Sequence, residues 1–242
     1  MGQPIELHYW PTPNGHKVTI ALEEMGLAYE LRPVNLGLGE QFRPEFLAIS
    51  PNNRMPAIVD PDGPGGEAVS VFESGAILRY LADKTGAFGG ADARAKIQVD
   101  EWLFWQMAGL GPMAGQANHF RFYAPAMLAD QRQVAYGAAR YTNEVHRLYG
   151  VLNGQLKGRE FIAGDYSIAD MACWPWTNPW KAHGIDLAEF PELAAWRDRI
   201  AARPAVQRAM AAAEKVKQGP TLADSGEAAE AARRVLFGQR AR

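Results

Sequence analysis

The chain has 242 residues, 48% of them hydrophobic, and a formal net charge of −2. That length suffices for two modest domains with a core each, and the near-neutral charge gives no electrostatic footprint for nucleic acid or an anionic membrane. The lone cysteine, Cys173, excludes an internal disulfide and a cysteine-rich metal site; no apolar run approaches the roughly 18 residues of a membrane span, so a soluble cytoplasmic protein is expected.

Ile5, Leu7 and Tyr9 alternate as in a strand. Val18, Leu22 and Met25, with Ile20 and Ala21, follow a helical period up to Gly26, a helix stop, and residues 29–36 form a second β-like run. A strand, helix, strand unit of this kind pairs its strands in parallel through a right-handed crossover. Residues 37–44 read as a polar loop carrying Gln41, and Phe46, Leu47 and Ile49 as a short apolar turn. Pro56 directly precedes the strand-like residues 57–59, where proline suits a tight entry or a cis peptide. Residues 60–67, rich in Pro, Gly and Asp, turn the chain into a return strand at 69–72, and Glu73-Ser74-Gly75 opens the next helix.

Glycines at 86, 89 and 90 mark a boundary, beyond which the period is helical almost throughout: residues 97–107, 126–152 and 193–210. Ser167 and Asp170 have the spacing of a capping box for a buried helix containing Met171, Ala172 and Trp174. After Gly219 the composition turns to Ala, Glu and Arg, with Asp224 or Ser225 available as a cap and too few apolar positions for a core. The expected division is a first domain over 1–86, a linker over 87–92, an all-helical domain over 93–218 and a tail over 219–242.

The stretch with the most chemistry is residues 9–17, Tyr-Trp-Pro-Thr-Pro-Asn-Gly-His-Lys, the turn from the first strand into the first helix. Unpaired N–H groups and the helix dipole favour an anion there, a thiolate or a carboxylate, and Thr12 and Asn14 supply a hydroxyl and an amide. By spacing alone the same two residues read equally well as ordinary turn and cap residues. Cys173, among Met171, Ala172 and Trp174, reads as a buried inert thiol. His16 and His119 have no companions at metal-ligand spacing, so no metal is expected.

Residues 11–17, Gln41-Phe42-Arg43-Pro44, Ser50-Pro51-Asn52-Asn53, Pro56-Ala57-Ile58, residues 72–77, Trp102-Leu103-Phe104-Trp105-Gln106 and Gly109-Leu110-Gly111-Pro112-Met113 together resemble the cytosolic glutathione transferase superfamily over about residues 5–215. They look most like its nu-class and Ure2-like bacterial members. The resemblance implies an α/β thioredoxin-like amino-terminal domain followed by an all-α carboxyl-terminal domain, and a homodimer. It also implies glutathione, reduced or oxidised, as cosubstrate, with small-molecule thiols and disulfides as partners. Thr12 and Asn14 match the residues beside the glutathione sulfur. Met55, before the family's cis-proline at Pro56, matches the backbone partner of the cysteinyl unit, with Arg54 where lysine is frequent. Glu73 and Ser74 match the residues holding the γ-glutamyl end, Asn53 and Gln41 are amide contacts to the glycyl end, and Arg140 matches an arginine reaching a second glutathione. The implied activity is reduction of small disulfides by glutathione thiolate, using two glutathiones or one oxidised glutathione per site, with organic hydroperoxide reduction beside it. Conjugation to electrophiles and non-catalytic, regulatory glutathione binding are the alternatives.

Overall fold

A computed structural model of the chain describes residues 3–216 and 226–238. The chain divides into two compact units: residues up to Leu81 together with those from Arg208 onward, and Ala82–Gln207.

In the first unit, β1 (Ile5–Tyr9), α1 (Pro13–Glu24), β2 (Tyr29–Pro33), α2 (Pro44–Leu47), β3 (Ala57–Asp60), β4 (Val69–Phe72) and the start of α3 (Ser74–Thr85) follow in order. The four strands form one mixed sheet, β2-β1-β3-β4, in which β1 runs parallel to β2 and antiparallel to β3, and β3 runs antiparallel to β4. The alternation in β1 is a real two-sidedness: Ile5, Leu7 and Tyr9 are buried, while Glu6 and His8 are only partly so. Val18, Ile20, Ala21 and Leu22 of α1, Ile58 of β3 and Ile77, Leu78 and Leu81 of α3 are buried as well and supply the rest of the unit's apolar interior.

Helix α1 begins five residues before the apolar period does, because Thr12 caps it and Pro13 takes its first position, where a missing N–H costs nothing. Gly26 ends it with a φ of 65°. β2 stops at Pro33, short of the predicted 36, and the polar loop contains two 3₁₀ turns, Leu36–Leu38 and Glu40–Phe42. A helix in the tail, α11 (Glu227–Phe237), packs on the first of these turns; Ala229, Ala232 and Arg233 are buried. The expected caps Asp224 and Ser225 lie outside the described residues.

The second unit contains α4 (Ala93–Trp105), α5 (Gly111–Asn118), α6 (Ala124–Met127), α7 (Gln131–Gln155), α8 (Ile168–Thr177), α9 (Pro191–Ala201) and the first turn of α10 (Pro204–Glu214). Wide π-type turns at Gln106–Leu110 and His119–Tyr123 follow α4 and α5. Two runs predicted as single helices are interrupted. The 126–152 run breaks at Leu128, whose backbone is extended, and restarts under the Asp130 cap. The 193–210 run breaks before Pro204, since proline has no N–H to continue the ladder. The capping box at Ser167 and Asp170 forms as predicted, and α8 is buried along nearly its whole length.

Candidate functional site

The start of α1 lies against the loop that precedes β3. Thr12 has extended backbone and its Oγ accepts the Gly15 N–H at 3.4 Å, so the hydroxyl stays at the mouth of the helix. Gly15 is required beneath it. A Cβ there would stand 2.3 Å from the Trp10 carbonyl oxygen and 2.7 Å from the Tyr9 ring. Asn14, partly exposed, occupies the second helical position. The Trp10 N–H donates to Met55 Sδ at 3.0 Å, and Thr12 Oγ lies 4.0 Å from the same sulfur. The Thr12 hydroxyl therefore already faces a sulfur atom from the neighbouring loop.

Strand alternation sends Tyr9 inward: it is fully buried and its hydroxyl meets His16 Nδ1 at 3.1 Å. Burial pushes the Tyr9 phenol up and draws the His16 imidazole down to about 4. Tyr9 thus stays neutral and inside the unit.

In the loop before β3, the Met55–Pro56 bond is cis and both residues are buried. Ser50 Oγ donates to the Arg54 carbonyl at 2.7 Å, and the Asn53 N–H to the Ser50 carbonyl at 2.9 Å, which closes the loop on itself. Asn53 has a φ of 47°, and Arg54 is exposed. Across from this loop, Glu73 is exposed and held at a φ of 70°. A non-glycine residue in that region costs about 1–3 kcal/mol, and such strain gathers at ligand sites. The Asn52 amide donates to Glu73 Oε1 at 3.4 Å, so Asn52, part of a resembling segment but assigned no role from it, joins the constellation. Ser74 follows at the first turn of α3, buried, and Lys17 Nζ donates to its Oγ at 3.3 Å. Lys17 was also missed. The available signal was a lysine among the apolar positions of α1, where only 1% of it is exposed.

Thr12, Asn14, Asn53, Arg54, Met55, Pro56, Glu73 and Ser74 all belong to the first unit, on the turn before and first turn of α1, the loop before β3 and the start of α3. Gln41 differs from expectation. It is fully buried in the second 3₁₀ turn, its Nε2 donates to the Leu36 carbonyl at 3.4 Å and its Oε1 has no partner. In this arrangement it presents no amide at the surface. Arg140 lies in the second unit, on α7, half-exposed and 3.9 Å from Glu144. It lines a groove of about 710 Å³ with Phe120, Leu128, Arg132, Tyr136 and Tyr141. Cys173, on α8, is fully buried. Among the described residues no group of three or more His, Cys, Asp or Glu is arranged to hold a metal, and no helix is long and apolar enough to cross a membrane.

The sequence profile of the glutathione S-transferase N-terminal domain matches residues 4–83, and that of the C-terminal domain residues 120–204. Disulfide-bond oxidoreductase YfcG of Escherichia coli is 51% identical over 212 residues, which is 87% of this chain and 96% of the relative. The chain belongs to the glutathione S-transferase family. Solved structures agree with this membership. A glutathione transferase from Pseudomonas putida, crystallised with one glutathione disulfide bound per subunit, superposes with a TM-score of 0.79 at 44% identity, over 86% of this chain and 90% of that one. A Burkholderia graminis glutathione transferase, with two glutathione molecules per subunit, gives 0.81 at 42% identity over 88% and 90%. The mixed sheet of the first unit and the helices of the second are the two halves of the glutathione transferase fold.

Proposed function

We propose that this transferase reduces small disulfides with glutathione as its only reactive sulfur. The observation that carries the reading is the placement of its single cysteine: Cys173 is fully buried in α8, while the Thr12 hydroxyl stands at the amino end of α1 beside a sulfur contact. The comparison with YfcG, named a disulfide-bond oxidoreductase, supports the reaction class. The glutathione and glutathione disulfide in the Burkholderia and Pseudomonas structures support the cosubstrate.

Glutathione fits the first unit by its charges. Its ammonium is assigned to the Glu73 carboxylate, its γ-glutamyl carboxylate to the Ser74 hydroxyl and the start of α3, and its cysteinyl backbone to Met55 ahead of Pro56. Asn53 and Arg54 face the glycyl end, and Arg140 is assigned a carboxylate of a second glutathione. Thiol–disulfide exchange runs through the thiolate. The Thr12 hydroxyl, the Asn14 amide and the α1 dipole stabilise that anion over the thiol and so lower its pKa. One glutathione thiolate attacks a substrate sulfur, forming a mixed disulfide and releasing one substrate thiolate. The second glutathione thiolate attacks the glutathione sulfur of that mixed disulfide, giving glutathione disulfide and the other substrate thiolate, and both released thiolates take up protons. Organic hydroperoxides are a slower substrate for the same thiolate. A homodimer in the reducing cytoplasm completes the reading.

The decisive experiment compares turnover of hydroxyethyl disulfide and chlorodinitrobenzene with glutathione. Faster disulfide reduction is expected; faster conjugation would replace this reading with glutathione transfer to electrophiles.

A further inference from the structure

Strand β1 turns alternate main-chain groups to its two neighbours. The Ile5 N–H donates to the Ala28 carbonyl at 2.9 Å and the Tyr9 carbonyl accepts the Val34 N–H at 2.8 Å, both on the β2 side. Glu6, His8 and Trp10 therefore point theirs towards β3. The antiparallel register there sets Glu6 against Val59 and His8 against Ala57, and one step further it brings Trp10 opposite Met55. That last pair is not closed through the main chain. The Trp10 N–H goes to the Met55 side chain, Sδ at 3.0 Å, and the Trp10 carbonyl accepts the Thr12 N–H at 2.8 Å.

Thr12 thus hangs from Trp10, and Trp10 from a sulfur atom. The sulfur is itself held: Met55 is 8% exposed and belongs to a buried cluster with Val34, Phe46 and Ala57, against which Trp10 packs. A thioether is apolar enough for such a cluster and still offers an acceptor, whereas an aliphatic side chain would leave the Trp10 N–H unmet. Thr12 Oγ accepts the Gly15 N–H, and its proton faces the same Met55 sulfur at 4.0 Å. A thioether accepts weakly, so that proton passes to a thiolate at little cost. We propose that Met55 is a positioning residue for the sulfur chemistry: its thioether takes the N–H that the ladder leaves over, which fixes Trp10 and through it Thr12, and so leaves the Met55 main chain to the cysteinyl unit of glutathione. This assignment rests on the glutathione reading given above. It divides one residue between two tasks, main chain for binding and sulfur for setting the donor, so loss of the sulfur is felt in thiolate formation and not in affinity.

The test is the pH dependence of hydroxyethyl disulfide turnover by the full chain at saturating glutathione, with calorimetric binding of glutathione beside it. Met55→Leu keeps the volume and removes the acceptor. Turnover follows the thiolate fraction, so a displaced donor should raise the pH of half-maximal rate by about one pH unit. Below that pH the variant should be about tenfold slower; above it the two profiles should converge, with glutathione affinity held within about threefold. Met55→Gln, unbranched and carrying an acceptor oxygen, should return the profile towards the original. In a Thr12→Ala background Met55→Leu should shift the profile no further, since Met55 acts through Thr12. A uniform loss at every pH overturns the assignment, as does a further shift in the Thr12→Ala background. If circular dichroism shows that the leucine variant does not fold, the glutamine variant carries the test, and a profile shifted as far as that of Thr12→Ala would then overturn it. Failure of the unaltered chain to bind glutathione or to reduce the disulfide would overturn the glutathione reading itself, whereas normal binding and turnover with an unshifted profile in Met55→Leu would overturn only the role of Met55.

Discussion

Thr12 holds two roles in one hydroxyl, as helix cap and as the proposed thiolate donor, and they separate by experiment. Thr12→Ala should cost about 1 kcal/mol of stability through the lost cap, and about a hundredfold in disulfide turnover through the lost donor. Thr12→Ser should restore both. Unchanged turnover at saturating glutathione would remove Thr12 from the mechanism and leave Asn14 as the donor. Cys173→Ala should keep turnover within about twofold, measured per folded molecule; loss of activity in a folded variant would show that the protein's own sulfur takes part. His183, fully buried in the second unit, meets the Tyr149 hydroxyl through Nδ1 at 3.1 Å, while its Nε2 has no partner. Burial, with Arg121 adding to it, draws this imidazole down to about 4. The unfolded chain therefore binds the proton more tightly, and the stabilisation from neutral His183, complete above about pH 6.5, is lost as pH falls towards 4, by on the order of 3 kcal/mol. His16, also drawn down to about 4, acts in the same direction. The buried Asp170, pushed up to about 6 because desolvation outweighs its hydrogen bonds, acts in the opposite one and loses stability as pH rises from about 4 to 6. Denaturant titrations of the unaltered chain and of His183→Gln between pH 4 and 7 should show the flatter profile in the variant.

Among the elements, α8 depends on one carboxylate. Asp170 accepts from the Ile162 and Ser167 N–H groups, both at 3.0 Å, and from the Trp196 indole at 2.8 Å, so the capping box also ties α8 to the segment before it and to α9. Asp170→Ala leaves several buried donors unmet and should cost about 3–5 kcal/mol, far above the ordinary value of a cap. A thermal midpoint lowered by only a degree or two would refute this account. In the first unit the sensitive contact is Gly15. Its replacement by alanine forces α1 away from the Trp10 carbonyl and the Tyr9 ring, which displaces Thr12 as well. Gly15→Ala should therefore lose stability and disulfide turnover together, unlike Thr12→Ala, where the stability loss is small.

For the whole molecule, the described part of the tail, α11, belongs to the first unit. Ala232 lies beside the Leu36–Leu38 turn: a Cβ built at Gly37 would stand 3.5 Å from the Ala232 Cβ, at ordinary contact distance. Removal of residues 219–242 should speed amide exchange over residues 36–42 and lower the thermal midpoint by several degrees. Unchanged protection of that turn would mean that α11 contributes nothing to it. Sedimentation should find a homodimer, and a monomer at all concentrations would remove that part of the proposal.

The sequence alone determined much of this protein, because its signals are local. The alternation of Ile5, Leu7 and Tyr9, the glycine at 26, the proline at 56 and the Ser167–Asp170 spacing each act within a few residues, and the corresponding strand, helix end, cis bond and capping box are present. The motif segments that resemble glutathione transferases fixed the family for the same reason, since each is a short contiguous run. Breaks inside helical runs were harder to read from period alone: at Leu128 the apolar pattern continues without interruption, whereas the break before Pro204 has its signal in the proline and not in the period. What only the tertiary structure decided concerns residues far apart in the chain. Burial of Gln41, the Lys17–Ser74 bond across 57 residues, the contact between Asn52 and Glu73, and the docking of a sparsely apolar tail helix all depend on which surfaces meet. No periodicity or local propensity encodes such a meeting, so Lys17, which carries no assignment in the sequence, is buried against Ser74 only once α1 and α3 pack together.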